Sequence, residues 1–70
     1  MRKTTIQTRR AGLLESLAAT ARDLTAARLG FEQEADRDLI AYYLHEQDAL
    51  RAKHSYLLRQ VKLLDEEVDG

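Results

Sequence analysis

The sequence predicts an all-α protein, folded as an antiparallel two-helix hairpin of coiled-coil type that dimerises into a four-helix bundle. Three observations support this fold class. The 70 residues include no proline and only three glycines, and they are rich in the good helix formers Ala, Leu, Arg and Glu. Two stretches repeat apolar residues at alternating three- and four-residue spacing, which is typical of helices with one apolar face. A glycine followed by a short polar segment separates the two stretches.

The chain is short enough to form one domain, residues 1–70. A domain of this size buries a smaller fraction of its surface than a mid-sized domain does, and without cysteine it has no disulfides to compensate. Regular helix packing or oligomerisation is therefore expected to supply the missing stability. The predicted parts are a basic N-terminal segment at 1–8, a first helix at about 9–29, a linker at 30–36, a second helix at about 37–65 and an acidic tail at 66–70.

The first helix is predicted from Leu14, Leu17, Ala21 and Leu24, whose spacing keeps one helix face apolar. Leu13, Ala18 and Ala27 widen this stripe. Its beginning is open between two alternatives. Thr8 could cap a helix that starts at Arg9, or the segment from Thr4 to Gln7 could form a capping box that starts the helix earlier.

Gly30 is predicted to end the first helix, because glycine readily adopts the left-handed conformation that closes many helices. Phe31 is placed to fold back on the last turn. Asp36 is predicted to cap the second helix, with Asp38 adding negative charge near the positive end of the helix dipole. A linker this short should return the chain antiparallel to the first helix.

The second helix shows the clearest pattern in the chain, a heptad repeat with polar residues at two seam positions. The seam consists of Ile40, Tyr43, Gln47, Leu50, His54, Leu57, Val61, Leu64 and Val68. The core of the hairpin is accordingly predicted to contain Leu14, Leu17, Leu24, Tyr43, Leu50, Leu57, Val61 and Leu64.

A second apolar stripe on the same helix consists of Tyr42, Ala49, Tyr56 and Leu63, and we call it the outer stripe. It lies about 100° around the helix from the line through Leu50 and Leu57. One neighbouring helix covers about one stripe, so the outer stripe predicts a partner surface. A homodimer is the first interpretation, an unidentified protein partner the second, and a broad flank of the core in a lone hairpin the third.

Charge is unevenly distributed, although the net charge is −1. Arg2, Lys3, Arg9 and Arg10 make the beginning basic, whereas the last residues are acidic. Antiparallel helices would bring these opposite charges together without any ligand. The same four basic residues are the candidate contacts for nucleic acid.

The sequence contains no recognisable catalytic, cofactor or metal site. His45 and Glu46 begin like a zinc-protease helix, but Ala49 stands where the second histidine ligand is required. His45 and His54 are nine residues apart, on opposite sides of a helix, and cannot share a metal ion. The longest uncharged apolar run, 39–44, is far shorter than the roughly 20 residues of a membrane span. We therefore expect no enzymatic activity, no cofactor, no membrane association and a cytoplasmic location.

Two segments of the second helix, Asp36 to Leu44 and Ala49 to Arg59, resemble the YaaL-like family of small uncharacterised proteins of Gram-positive bacteria. The likeness extends from about Leu13 to Lys62, and residues 1–12 and the acidic tail fall outside it. Relatives often have proline at the position of Arg37 and aromatic residues at those of the two histidines. The resemblance implies a short helical cytoplasmic protein without catalytic residues, whose genes often lie beside those for a recombination mediator and a regulator of sporulation processing.

The functional prediction is a non-enzymatic protein–protein interaction or adaptor module. The outer stripe is its candidate interface. The alternative is a nucleic-acid-associated accessory factor that binds through its basic N-terminal segment.

Overall fold

The computed structural model describes the backbone of residues 2–69 and the side chains of residues 5–67, and these residues form an antiparallel helical hairpin. Helix α1 is Arg2–Gln33 and helix α2 is Arg37–Asp69. No strand occurs between residues 2 and 69. The molecule is a rod of 52 × 15 × 12 Å, as two helices of this length packed side by side require. The all-α hairpin predicted from the sequence is confirmed.

Helix α1 is longer than predicted at both ends. It begins at Arg2, so residues 2–8 are helical. Of the two predicted starts, the capping box from Thr4 to Gln7 lies closer to the observed start than the cap at Thr8. At the other end, α1 continues through Gly30 to Gln33. The prediction that Gly30 ends the helix, with a linker at 30–36, is therefore wrong. No glycine in the described chain has a positive φ.

Gly30 has a packing role instead of a capping role. A Cβ atom added at Gly30 would lie 2.5 Å from two ring carbons of Tyr43, which is closer than real Cβ contacts come. The absent side chain lets the tyrosine ring of α2 approach the backbone of α1. The residue type that suggested a helix end is thus required by contact with the opposite helix.

The connection between the helices is residues 34–36, and its backbone groups are satisfied locally. The carboxylate of Glu34 accepts hydrogen bonds from the N–H groups of Ala35 and Asp36, both at 3.1 Å. The carboxylate of Asp36 accepts from the N–H groups of Asp38 at 2.9 Å and Leu39 at 3.2 Å. The predicted N-cap at Asp36 is confirmed, and it satisfies two donors that have no partner within the helix.

Helix α2 also extends beyond its predicted end near residue 65, reaching Asp69. The last described turns are held against α1, since Leu64 is 3% exposed and the carboxylate of Asp65 lies 2.8 Å from the Arg10 guanidinium. These contacts offset the unfavourable position of acidic residues at the negative end of the helix dipole. The expected proximity of the basic beginning and the acidic end is confirmed by this ion pair.

The core lies along the seam that the heptad pattern of α2 predicts. Leu57, Val61 and Leu64 are buried, as is the polar Gln47. The remaining described seam residues of α2 are half-buried, and they are Ile40, Tyr43, Leu50 and His54. The side chain of Val68 lies outside the described residues.

The seam of α1 differs by one position from the prediction. Leu14 is 40% exposed and Ala21 is also exposed, whereas Thr20 and Ala27 are each 1% exposed. Leu13 occupies the seam that Leu14 was expected to occupy. Thr20 can be buried because its hydroxyl donates to the carbonyl oxygen of Ser16 at 2.7 Å, which leaves no unpaired polar atom. The residues lining the observed seam are Leu13, Leu17, Thr20, Leu24 and Ala27.

Candidate interaction surface

The outer stripe lies outside the contact between the two helices. Tyr42 is 57% exposed, Tyr56 is 51% exposed and Leu63 is 52% exposed, and Ala49 is also exposed. Each precedes a residue of the α2 seam by one position, which turns it about 100° away from α1. More than half of each large side chain in the stripe therefore faces solvent in a single hairpin.

Tyr42 is oriented by two neighbours at the turn end of the hairpin. Its ring packs edge-on against that of Tyr43, with centroids 5.2 Å apart and an interplanar angle of 64°. A hydrogen bond to the Glu46 carboxylate raises the pKa of Tyr42 above its ordinary value, and the negative charge of Glu46 adds to this effect. The phenol thus keeps its proton and presents a neutral, partly apolar surface.

Exposed apolar side chains also occur away from the outer stripe. Leu14 of α1 and Leu58 of α2 are 40% and 41% exposed. By helical position both lie on the opposite flank of the hairpin, one residue after their seams. The sequence pattern does not indicate this flank, because it predicts that Leu14 lies in the core.

An open groove of about 180 Å³ lies beside the seam, in the half of the hairpin nearer the connection between the helices. Its lining includes the guanidinium-bearing side chains Arg28 and Arg51 together with Leu24, Thr25 and Gln47. Arg51 donates to the Gln47 side-chain oxygen at 3.3 Å and lies 3.8 Å from the Asp48 carboxylate. The Thr25 hydroxyl donates to the Ala21 carbonyl at 3.1 Å. The Thr25 hydroxyl in this lining has no general base beside it, so it is not activated as a nucleophile.

Of the four candidate nucleic-acid contacts, the two whose side chains are described differ in their surroundings. Arg9 is exposed, but the guanidinium of Arg10 forms the ion pair with Asp65. The side chains of Arg2 and Lys3 lie outside the described residues. Part of the positive charge at this end is thus used within the hairpin.

The two histidines lie as the sequence suggested. His45 is exposed and His54 is half-buried in the seam. Within the described residues, no group of three or more His, Cys, Asp or Glu side chains is arranged to hold a metal ion. Neither helix, over the residues described, has the length and apolar character to cross a membrane.

Comparison with known proteins adds no relative to this picture. No protein family, curated protein or solved structure matches the chain. The resemblance to the YaaL-like family therefore stays a prediction, and the surface described above is the basis for a functional proposal.

Proposed function

We propose that this chain is a non-enzymatic protein–protein interaction module of the cytoplasm that self-associates through its outer stripe into a four-helix bundle. The observation that carries the proposal is the exposure of more than half of Tyr42, Tyr56 and Leu63. Full burial of a large apolar side chain contributes roughly 1.5–3 kcal/mol, so covering the exposed half of each adds about 1 kcal/mol. Three such side chains from each copy give an association surface without any chemistry at the site.

Nucleic-acid association through the basic end of the hairpin is the weaker alternative. Phosphate binding depends on cations that are free to replace counterions, and Arg10 is already paired with Asp65. Salt-dependent binding of a short DNA or RNA duplex, lost on deletion of residues 1–10, would favour this alternative over the interaction module.

The proposal is tested by sedimentation of the wild-type chain and the variant Tyr56→Glu over a concentration range. Tyr56→Glu places a charge in the outer stripe without touching the buried seam, so its helical spectrum should persist while its mass falls toward that of one chain. Leu58→Glu is the matched control, since Leu58 is an exposed leucine on the other flank. If Leu58→Glu sediments as a single chain while Tyr56→Glu still sediments like the wild-type assembly, the outer stripe is not the interface.

A further inference from the structure

The two helices present complementary surfaces on one side of the hairpin. On α2 this side carries the outer stripe, whose Tyr56 and Leu63 project into solvent. On α1 it carries a stripe of very small residues, Gly12, Ala19 and Ala26, which we call the small stripe. A Cβ atom added at Gly12 would meet nothing within 4 Å, so the space above this residue is open.

Both stripes lie on the same side because of helix geometry. Each small-stripe residue precedes a seam residue of α1 by one position, as Ala19 precedes the buried Thr20. Each outer-stripe residue likewise precedes a seam residue of α2, as Tyr56 precedes the buried Leu57. A residue one position before a seam residue points about 100° away from the seam. Because the helices run in opposite directions, this rotation brings both stripes to the same face.

We propose that a second copy of this chain covers this face with a two-fold axis parallel to the helices, so that the outer stripe of each α2 packs on the small stripe of the other copy's α1. This inference rests on the proposed self-association and specifies its geometry.

The register of the hairpin supplies the first argument. Arg10 lies beside Asp65 at one end and Gly30 beside Tyr43 at the other. Gly12 is two residues beyond Arg10 and Leu63 is two residues before Asp65, so Gly12 and Leu63 lie at the same height along the rod.

A two-fold axis parallel to the helices does not change heights along the rod. Leu63 of one copy therefore lies opposite Gly12 of the second copy. By the same count Tyr56 lies opposite Ala19 of the second copy, and Ala49 opposite Ala26, to within the two residues by which the Gly30–Tyr43 contact differs from this count. In two of these three pairs a large side chain meets a small one, which favours close packing between helices, and in the third two alanines meet.

Charge complementarity supplies the second argument. In this arrangement Glu15 lies within one residue of the height of Arg59 of the second copy, and Asp23 within one residue of the height of Lys53. None of these four side chains forms an ion pair within the described part of the hairpin. Opposite charges at the rim of an interface favour one partner and one orientation even where they add little affinity.

The competing arrangement has its two-fold axis perpendicular to the helices, with α2 packed against α2 of the second copy. The middle of the outer stripe falls between Ala52 and Lys53. Pairing the stripe with itself would therefore place Lys53 beside Lys53 of the second copy, and like charges at that distance repel. It would also leave the small stripe without large side chains to fill it.

The face is large enough for a stable dimer. From Tyr42 to Leu63 it is about 30 Å long and, across two helices, about 20 Å wide. Covering it would bury roughly 600 Å² on each copy, or about 1,200 Å² in total, which is at the lower limit for specific interfaces.

Disulfide trapping tests the geometry directly, because the chain contains no cysteine. Ala26→Cys and Ala49→Cys are made singly and together, and each protein is oxidised with copper–phenanthroline and analysed on a non-reducing gel. The double variant should yield covalent dimers, as should an equimolar mixture of the two single variants, whereas each single variant alone should remain monomeric on the gel. Within one hairpin the two positions lie on the same face but on different helices, whose axes are about 8–10 Å apart, so their Cα atoms exceed the roughly 7 Å limit for a disulfide.

Two outcomes of the trapping experiment would overturn the proposed geometry. Covalent dimers of Ala49→Cys alone, at the rate of the mixture, would place Ala49 against Ala49 of the second copy and so exclude its pairing with Ala26. Absence of cross-linking from a protein that sediments as a dimer would show that another face is used. In either case the proposed self-association would stand. A wild-type chain that sediments as a single hairpin at every concentration would exclude the self-association and its geometry together.

Charge reversal gives an independent test of the same pairing. Glu15→Arg and Arg59→Glu should each raise the dimer dissociation constant by up to about tenfold, since each dimer contains two such pairs. The double variant Glu15→Arg/Arg59→Glu restores opposite charges and should return the constant to near the wild-type value. Lys62→Glu makes the same change of charge as Arg59→Glu but lies outside the face, so it should leave the dissociation constant unchanged. A double variant that dimerises more weakly than either single variant would contradict the pairing.

Discussion

Replacement of glycine by alanine at two positions of α1 should change the stability of the hairpin in opposite directions. At Gly12 a new Cβ atom meets nothing within 4 Å, so the only effect within the hairpin is the higher helix propensity of alanine. Gly12→Ala should therefore raise the free energy of unfolding by about 1 kcal/mol. Gly30→Ala gains the same helix term but places its Cβ atom 2.5 Å from the Tyr43 ring.

The clash at Gly30 should outweigh the gain in helix propensity. Overpacking of this kind costs about 1–3 kcal/mol, because the ring must shift away from the edge-on contact it makes with Tyr42. The two variants share the helix term, so the difference between their unfolding free energies isolates the clash. For a domain of this size, that difference corresponds to a separation in Tm on the order of 10 °C.

The assay is thermal and urea unfolding followed by circular dichroism, repeated at two protein concentrations so that association can be separated from folding. Tyr43→Leu provides the internal control. In that background Gly30→Ala should no longer be destabilising, because the ring that it meets is gone. Equal stability of Gly30→Ala and Gly12→Ala in the otherwise unchanged chain would refute the packing role assigned to Gly30.

Three further perturbations follow from named contacts. Leu57→Ala should lower the free energy of unfolding by about 2–5 kcal/mol in urea titrations, because Leu57 is 6% exposed and its removal leaves a cavity in the seam. Arg10→Ala should cost no more than about 1 kcal/mol, and less in 1 M salt, because both it and Asp65 are nearly half exposed. Glu46→Gln should lower the pKa of Tyr42 toward its ordinary value in a spectrophotometric titration, since the carboxylate is the main cause of the upward shift. Because the pKa of Tyr42 is higher in the folded state, the protonated phenol stabilises the fold below the ordinary pKa of tyrosine, and this stabilisation is lost as the pH rises through the shifted pKa. Above about pH 10, the stability of the wild-type chain should therefore fall more than that of Glu46→Gln.

Each of these perturbations has a control in the same chain. Leu58→Ala removes a neighbouring leucine that is 41% exposed and should cost clearly less than Leu57→Ala. Equal losses would mean that the seam is misplaced. Asp65→Asn should reproduce the effect of Arg10→Ala, and a salt-independent loss in either would point to packing instead of charge. For the titration, Tyr42→Phe should remove the high-pKa transition, and its persistence would assign that transition to another tyrosine.

Helix α2 could be predicted closely from the sequence because its signals are local and consistent. The three- and four-residue spacing runs unbroken from Ile40 to Leu64, and Asp36 carries the side chain that a helix start requires. The sequence also placed Gln47 and His54 correctly in the seam, although both are polar. The hydroxyl of Thr20 was harder to place, since its burial depends on a hydrogen bond to Ser16 that becomes evident only in the folded helix.

The errors in α1 arise where two interpretations of one residue compete. Leu13 and Leu14 are equally apolar neighbours, and only the facing residues of α2 decide which of them enters the seam. Gly30 matches the pattern of a helix end, but its function depends on Tyr43, thirteen positions later in the chain. The small stripe could not be predicted because Gly12, Ala19 and Ala26 do not by themselves indicate an interface. Their small size matters only because they lie on the same face as the outer stripe.

One hairpin leaves an apolar face that, in our proposal, a second copy covers, and the mass of the protein in solution shows whether it does. Sedimentation equilibrium of the wild-type chain from micromolar to near-millimolar concentration should show a rise from 8.0 kDa toward twice that mass. Tyr56→Glu should remain near the mass of one chain across the same range. A wild-type mass that stays at one chain throughout would show that the outer stripe is not covered by a second copy.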